Sequence, residues 1–210
     1  MLDLASLIRE LAILIPPLLL ALTLHEYAHG WVADRLGDPT ARLQGRLTLN
    51  PLPHLDPIGA LAFLLFKFGW AKPVPVNGSN FRNPLRDMMW VAAAGPAANL
   101  LLAMASALAF QEIPWGSFPA TAGWLVAPLR MMLLQSVWLN VILAIFNFVP
   151  IPPLDGSRVL VGLLPPREAV AYSRLEPYGF VILIVLIYAG IVGRVVWPIV
   201  SVVTGLLLGA

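Results

Sequence analysis

Residues 88–110 contain no charged side chain, and the run begins immediately after Asp87. A bilayer core needs about 20 mostly apolar residues per helix. In lipid, a lone segment can pair its backbone polar groups internally only as a helix. Two further runs have the same character: 122–149, interrupted by Arg130 alone, and 178–208, interrupted by Arg194 alone. Charged residues make up 11% of the 210 positions, roughly half the usual share of about 25%. A soluble globule and a disordered chain are therefore excluded. With 13 Lys/Arg against 11 Asp/Glu, the net charge of +2 provides no nucleic-acid surface. The absence of cysteine excludes disulfides, thiolate metal sites and a thiol nucleophile.

The N-terminal segment is less ordinary. The apolar stretch between Glu10 and His25 is too short to cross alone. A helix over residues 4–36 is long enough, but it carries His25, Glu26 and His29 to membrane depth. A signal peptide is rejected, because Arg9 beside Glu10 is a poor basic leader and no small-x-small site follows. Pro16 and Pro17 are expected to kink this helix. Residues 58–66 are apolar but too few to cross, so they read as re-entrant or interfacial. The basic residues Arg35, Arg42, Arg46, Lys67, Lys72, Arg82 and Arg86 precede the second span, and Arg158, Arg167 and Arg174 follow the third. The connection 111–121 holds only Glu112. Positive charge stays in the cytoplasm, which puts the N-terminus outside and the polar cluster of the first helix in the cytoplasmic half. Trp31, Trp70, Trp90 and Trp197 read as interfacial anchors.

Leu43, Gly45, Leu47 and Leu49 alternate with Gln44, Arg46 and Thr48, and residues 72–77 are rich in Pro and Val. Period-two patterning and prolines confined to edges predict a small β-ribbon with an open edge at the membrane face. The expected architecture is an α-helical polytopic membrane protein, a bundle of about four full spans with short or re-entrant segments and that ribbon.

His25-Glu26-Tyr27-Ala28-His29 is an H-E-x-x-H motif. Positions i and i+4 of a helix lie about 40° apart, so both imidazoles reach one ion, while Glu26 stands close enough to take a proton from water. A polar helix end facing headgroups is the structural alternative. Three ionisable groups on one turn of an apolar helix are costly unless something binds them. A catalytic zinc usually has three protein ligands and one open position. His54, Asp56, Asp155, Glu112, Glu168 and Glu176 are the candidates for the third, and Asp155 has the best geometry. It follows Pro150, Pro152 and Pro153, which break the preceding span and turn a carboxylate back towards the bundle. An N-cap role for Asp155 on a helix over 157–164 is the competing assignment. Asn99, an amide in mid-span, either ties helices together or lines the cleft. His54 is either an entry-gate residue or a structural hydrogen-bonding group.

His25-Glu26-x-x-His29 in an apolar helix, with Asn147-x-x-Pro150-x-Pro152-x-Leu154-Asp155-Gly156 later in the chain, resembles the site-2 protease family of intramembrane zinc metalloproteases. Gly95-Pro96-Ala97-Ala98-Asn99, Asn50-Pro51, His54 and Asp56-Pro57 match as well, so the resemblance spans residues 15–165. It implies one Zn2+ held by His25, His29 and Asp155, with Glu26 as acid/base and Asn147 near the scissile carbonyl. It further implies an extended element that pairs with substrate backbone, for which residues 72–77, including Val74 and Val76, are the natural candidate. Asn99 and His54 complete the candidate substrate contacts. On this reading, residues 1–210 form a single intramembrane metalloprotease domain, with a core over 1–165 and an accessory C-terminal helix over 178–208. Residues 111–121 are too short for a PDZ insertion and no CBS domain follows, so the expectation is the minimal form, in a prokaryotic cell membrane. Its expected partners are single-span membrane proteins, as substrates, and the bilayer, but no nucleic acid. A metal or proton transporter and a non-proteolytic helix-binding protein of the same fold are the competing functions. Iron suits two histidines and a carboxylate too, but the adjacent glutamate favours hydrolysis.

Overall fold

A computed structural model describes residues 4–66 and 69–209. Among these, α1 (Leu4–Arg35) runs unbroken through Pro16 and Pro17 and is followed by the single turn α2 (Thr40–Leu43) and by α3 (Pro57–Phe66). The chain continues through α4 (Pro84–Glu112), α5 (Gly123–Asn147), α6 (Asp155–Leu163), α7 (Pro166–Ser173), α8 (Gly179–Tyr188) and α9 (Ile191–Leu208). The fold is that of a helical multi-pass membrane protein.

Local chemistry explains the helix starts. Asp56 Oδ1 accepts the N–H groups of Ile58 and Gly59 at 2.9 and 2.8 Å, so this carboxylate caps α3 with Pro57 at its first position. Asp87 Oδ2 reaches back to the N–H of Asn83 at 3.0 Å, and Pro84 opens α4.

Helices α1, α4 and α5 form the centre of the bundle. Their contact faces carry small residues, Ala21 and Ala33 on α1, Ala92, Ala103 and Ala107 on α4 and Ala144 on α5, all fully or almost fully buried. Small side chains let backbones approach closely where lipid supplies no hydrophobic drive between helices. A second apolar cluster joins Val137 and Val141 of α5 to Leu183 of α8 and to Val192, Val196 and Val200 of α9.

Two expectations are corrected. Five helical stretches are long and apolar enough to cross a membrane, against the expected four: Leu4–Arg35, Pro84–Glu112, Ala120–Asn147, Pro166–Tyr188 and Ile191–Leu208. The run 178–208 is split at Gly190, which adopts the left-handed conformation (φ +71°) between α8 and α9. A residue without Cβ takes that conformation at no steric cost. The expected ribbon does not form among the described residues, where one isolated antiparallel bridge, Leu55 to Ala71, is present. Leu43 instead closes α2, its N–H bonded to Pro39 O at 2.9 Å, and Gly45 turns the chain with φ +66°. In residues 72–77, Pro73 and Pro75 remove two N–H donors, so no ladder can propagate along that face. Side chains pin this segment in place. Arg46 donates to Lys72 O at 2.7 Å, and Asp38 accepts the N–H of Asn77 at 2.7 Å. Helix α3 covers ten described residues, and Lys67 lies outside the described residues.

Candidate metal centre

On α1, the four-residue spacing places His25 and His29 on one buried face, ring centroids 4.6 Å apart and nearly perpendicular. Helix α4 presses on both rings through Gly95. A methyl group at Gly95 would fall 2.6 Å from His29 Cε1 and 2.7 Å from His25 Cε1, so only glycine lets α4 come this close. Asp155 enters from the start of α6. Tyr172 of α7 donates to Pro150 O at 2.7 Å, and Gly156 packs so tightly on the Phe148 carbonyl that no Cβ fits. Together these contacts fold residues 148–155 back on themselves and aim the carboxylate at α1.

His25 Nε2 and His29 Nε2 stand 3.0 Å apart, and Asp155 Oδ2 lies 3.1 Å from the first and 3.3 Å from the second. These edges are close to the ligand–ligand separation of about 3.3–3.4 Å that tetrahedral zinc bonds of about 2.0–2.1 Å produce. The other ring nitrogens explain which atoms face inward. His29 Nδ1 lies 2.7 Å from Val91 O, an acceptor to which the ring must donate, and His25 Nδ1 lies 2.6 Å from Asn99 Oδ1. In the neutral form, the one that binds a metal, each imidazole turns an Nε2 lone pair towards the other. Asp155 Oδ2 is buried and makes no hydrogen bond. Three facing acceptors repel unless a cation lies between them, so the donor set fits a divalent metal. The competing N-cap assignment fails, because Leu154 occupies the cap position of α6 and Asp155 makes no capping bond.

The remaining predicted residues divide clearly. Glu26 is half-buried, and its Oε2 accepts the N–H of Val74 at 2.8 Å, so the segment 72–77 does reach the motif. Val74 is buried and Val76 partly so. Asn99 is fully buried and does tie helices together: besides meeting His25, its Nδ2 donates to Ala21 O at 3.2 Å and to Asn140 Oδ1 at 2.7 Å. Asn147 ends α5 with its amide turned back on its own helix, Nδ2 to Leu143 O at 2.9 Å. His54 is buried away from the triangle, its Nε2 donating to Thr48 O at 2.9 Å while its own carbonyl accepts from Lys72 N at 2.8 Å. It acts as a structural pin. Asn140 went unremarked in the sequence, although a second mid-span amide carries the signal that singled out Asn99.

Residues 117–190, which include the Asn147–Gly156 segment, match Peptidase family M50. Curated relatives named "Putative zinc metalloprotease" include YwhC of Bacillus subtilis, 38% identical over 190 residues, covering 90% of this chain and 85% of the relative. Rip2 of Mycolicibacterium smegmatis is 31% identical over 84% of this chain and 66% of its own length. Rip2 of Mycobacterium tuberculosis is 31% identical over 81% and 64%. No solved structure matches. Likeness to YwhC along nine-tenths of the sequence, reaching through both motifs of the triangle, establishes kinship: the chain belongs to peptidase family M50.

Proposed function

We propose that this chain is a zinc-dependent endopeptidase that hydrolyses peptide bonds within or next to the membrane-spanning segments of single-span proteins. One observation carries the reading. Two imidazoles on a helix long and apolar enough to cross a bilayer and a carboxylate from a distant part of the chain converge, with Nε2, Nε2 and Oδ2 within 3.3 Å of one another.

His25, His29 and Asp155 would hold the metal. When bound, zinc supplies Lewis acidity that activates water and polarises a carbonyl. The protein's own groups do the rest. Glu26, next in sequence to one ligand, takes the proton from water on its carboxylate and returns it to the leaving amine. Val74 N–H orients that carboxylate at Oε2. The Pro73 and Pro75 rings hold Lys72 and Val74 extended. In an extended chain, alternate residues present N–H and C=O on the same side. Val74 C=O and the Val76 backbone therefore face the side on which Val74 N–H meets Glu26. A substrate strand paired there would lie beside the base, with its carbonyls released from their helical hydrogen bonds. Asn147 would approach the scissile carbonyl only after its amide leaves Leu143 O.

Arg42, Arg46, Lys72 and Arg82 between the first two spans, Arg35 and Arg86 at the facing ends of those spans, Arg158 after the third, and Arg167 and Arg174 in the first part of the fourth support a cytoplasmic active site and an external N-terminus. The test is cleavage of a single-span protein by the purified chain in liposomes. Chelation should abolish it and added zinc restore it. Cleavage indifferent to both, or zinc crossing the vesicle wall without cleavage, would overturn the proposal.

A further inference from the structure

Behind the metal-facing side of His25, a chain of buried polar groups crosses from α1 through α4 to α5. His25 Nδ1 meets Asn99 Oδ1 at 2.6 Å, Asn99 Nδ2 donates to Asn140 Oδ1 at 2.7 Å, and Asn140 Nδ2 donates to Ser136 O at 2.8 Å. Ser136 Oγ then meets Ser106 Oγ at 2.8 Å. Asn99 and Asn140 are both fully buried.

We propose that Asn140 is a positioning residue for the metal site: it sets the orientation of the Asn99 amide and, through it, the tautomer of His25. The proposal rests on His25 being a ligand.

The argument starts from groups that cannot change role. Ser136 O is a backbone carbonyl and only accepts, so the Asn140 amide must turn its nitrogen there and its oxygen towards Asn99. Facing an acceptor, Asn99 must present its own nitrogen, which leaves its oxygen for His25. An oxygen at that point requires Nδ1–H on the ring, and a neutral ring with Nδ1–H has its lone pair on Nε2, the atom that faces His29 and Asp155. If the Asn99 amide were reversed, its N–H would claim the Nδ1 lone pair. The proton would then sit on Nε2, pointing into the triangle, and His25 could not ligate. Ala21 O also accepts from Asn99, but at 3.2 Å, against 2.7 Å for Asn140 Oδ1. Asn140 Oδ1 is the closer acceptor.

The test compares Asn140→Leu, which removes the acceptor, with Asn140→Asp, which keeps an oxygen facing Asn99. Zinc affinity is read by chelator competition. The His25 tautomer is read by 15N NMR of the metal-free chain, whose three histidines keep the spectrum assignable. Asn140→Leu should weaken zinc about ten-fold, the lower end of the effect of groups behind a metal ligand. It should also convert a single Nδ1–H form of His25 into a mixture. Asn140→Asp should stay within about two-fold of wild type on the same scale and keep one tautomer. A folded Asn140→Leu protein with unchanged affinity and one tautomer overturns the proposal, as does Asn140→Asp falling as far as Asn140→Leu. If the leucine variant does not fold, Asn140→Ser, too short to reach Asn99, takes its place under the same criteria. His25→Ala binding zinc as tightly as wild type would instead overturn the ligand assignment beneath the proposal.

Discussion

Val74 N–H donates to Glu26 Oε2 at 2.8 Å, joining the Pro/Val segment between α3 and α4 to the glutamate of the H-E-x-x-H motif. A hydrogen bond to a charged group is worth about 1.5–3 kcal/mol. Replacing Val74 by proline removes the donor and keeps the extended backbone. The expected result is a cleavage rate about 10- to 100-fold lower at unchanged zinc content, the bond energy expressed as a rate. Val76→Pro leaves the Glu26 contact in place but removes an N–H from the open side. Its expected signature is a higher KM for a membrane-helix substrate. Equal kinetics for wild type and Val74→Pro would separate this segment from the chemistry.

Glu26→Gln and Asp155→Asn should fail differently. Glu26 lies outside the triangle of facing acceptors, whereas Asp155 Oδ2 stands 3.1 and 3.3 Å from the two imidazole nitrogens. Glu26→Gln should retain zinc and lose about 10²–10⁴-fold in turnover, the usual contribution of a general base. Asp155→Asn should lose zinc. Metal analysis beside a cleavage assay checks both, and a fully loaded Asp155→Asn protein would remove it from the ligand set.

Gly95→Ala places a methyl group against both imidazole rings. The rings cannot give way without leaving Val91 O and Asn99 Oδ1. Zinc affinity should therefore drop by about 10–100-fold, as when groups behind a ligand are lost. Gly123→Ala is the control, because a Cβ there meets open space. Matching affinities for the two variants would contradict the close approach of α4.

Asp38 anchors the far end of the extended segment. Burial raises its carboxyl pKa, but hydrogen bonds from Thr40 Oγ1, Asn77 N, Asn80 Nδ2 and Thr40 N outweigh that and hold it below the ordinary value. The sign follows. A group whose folded pKa is lowered stabilises the fold fully above its unfolded pKa of about 3.9, and that contribution is lost as pH falls through the folded value. Asp38→Asn should cost about 1–3 kcal/mol at neutral pH, since an amide turns a donor towards donors. It should also flatten the loss of thermal stability below about pH 4. A variant with the wild-type acid profile would refute this role.

The patterns that remained legible were those written into neighbouring residues. His25 and His29 share a face because a helix repeats every 3.6 residues, and uncharged runs marked the spans wherever the backbone stayed helical. The run 178–208 misled for the same reason. Hydropathy records whether a stretch avoids water, not whether it turns, and the single Gly190 reverses its backbone sign without altering its apolarity. Alternation around Leu43–Leu49 misled in a related way. Period two describes a strand only if a partner strand pairs with it, and among the described residues a single isolated bridge, Leu55 to Ala71, forms instead.

The sequence by itself determined the chemistry on offer: two imidazoles on one helical face, a glutamate beside them, and a proline-broken span ending in a carboxylate. The tertiary structure decided which carboxylate came to the imidazoles. It also decided that the oxygen of Asn99, rather than its nitrogen, meets His25, and that Asn140 stands behind it. The physical reason is that hydrogen-bond direction and ligand distance depend on how α1, α4 and α5 cross. Those crossings are set by small residues packing far apart in the chain, information that no local window of sequence contains.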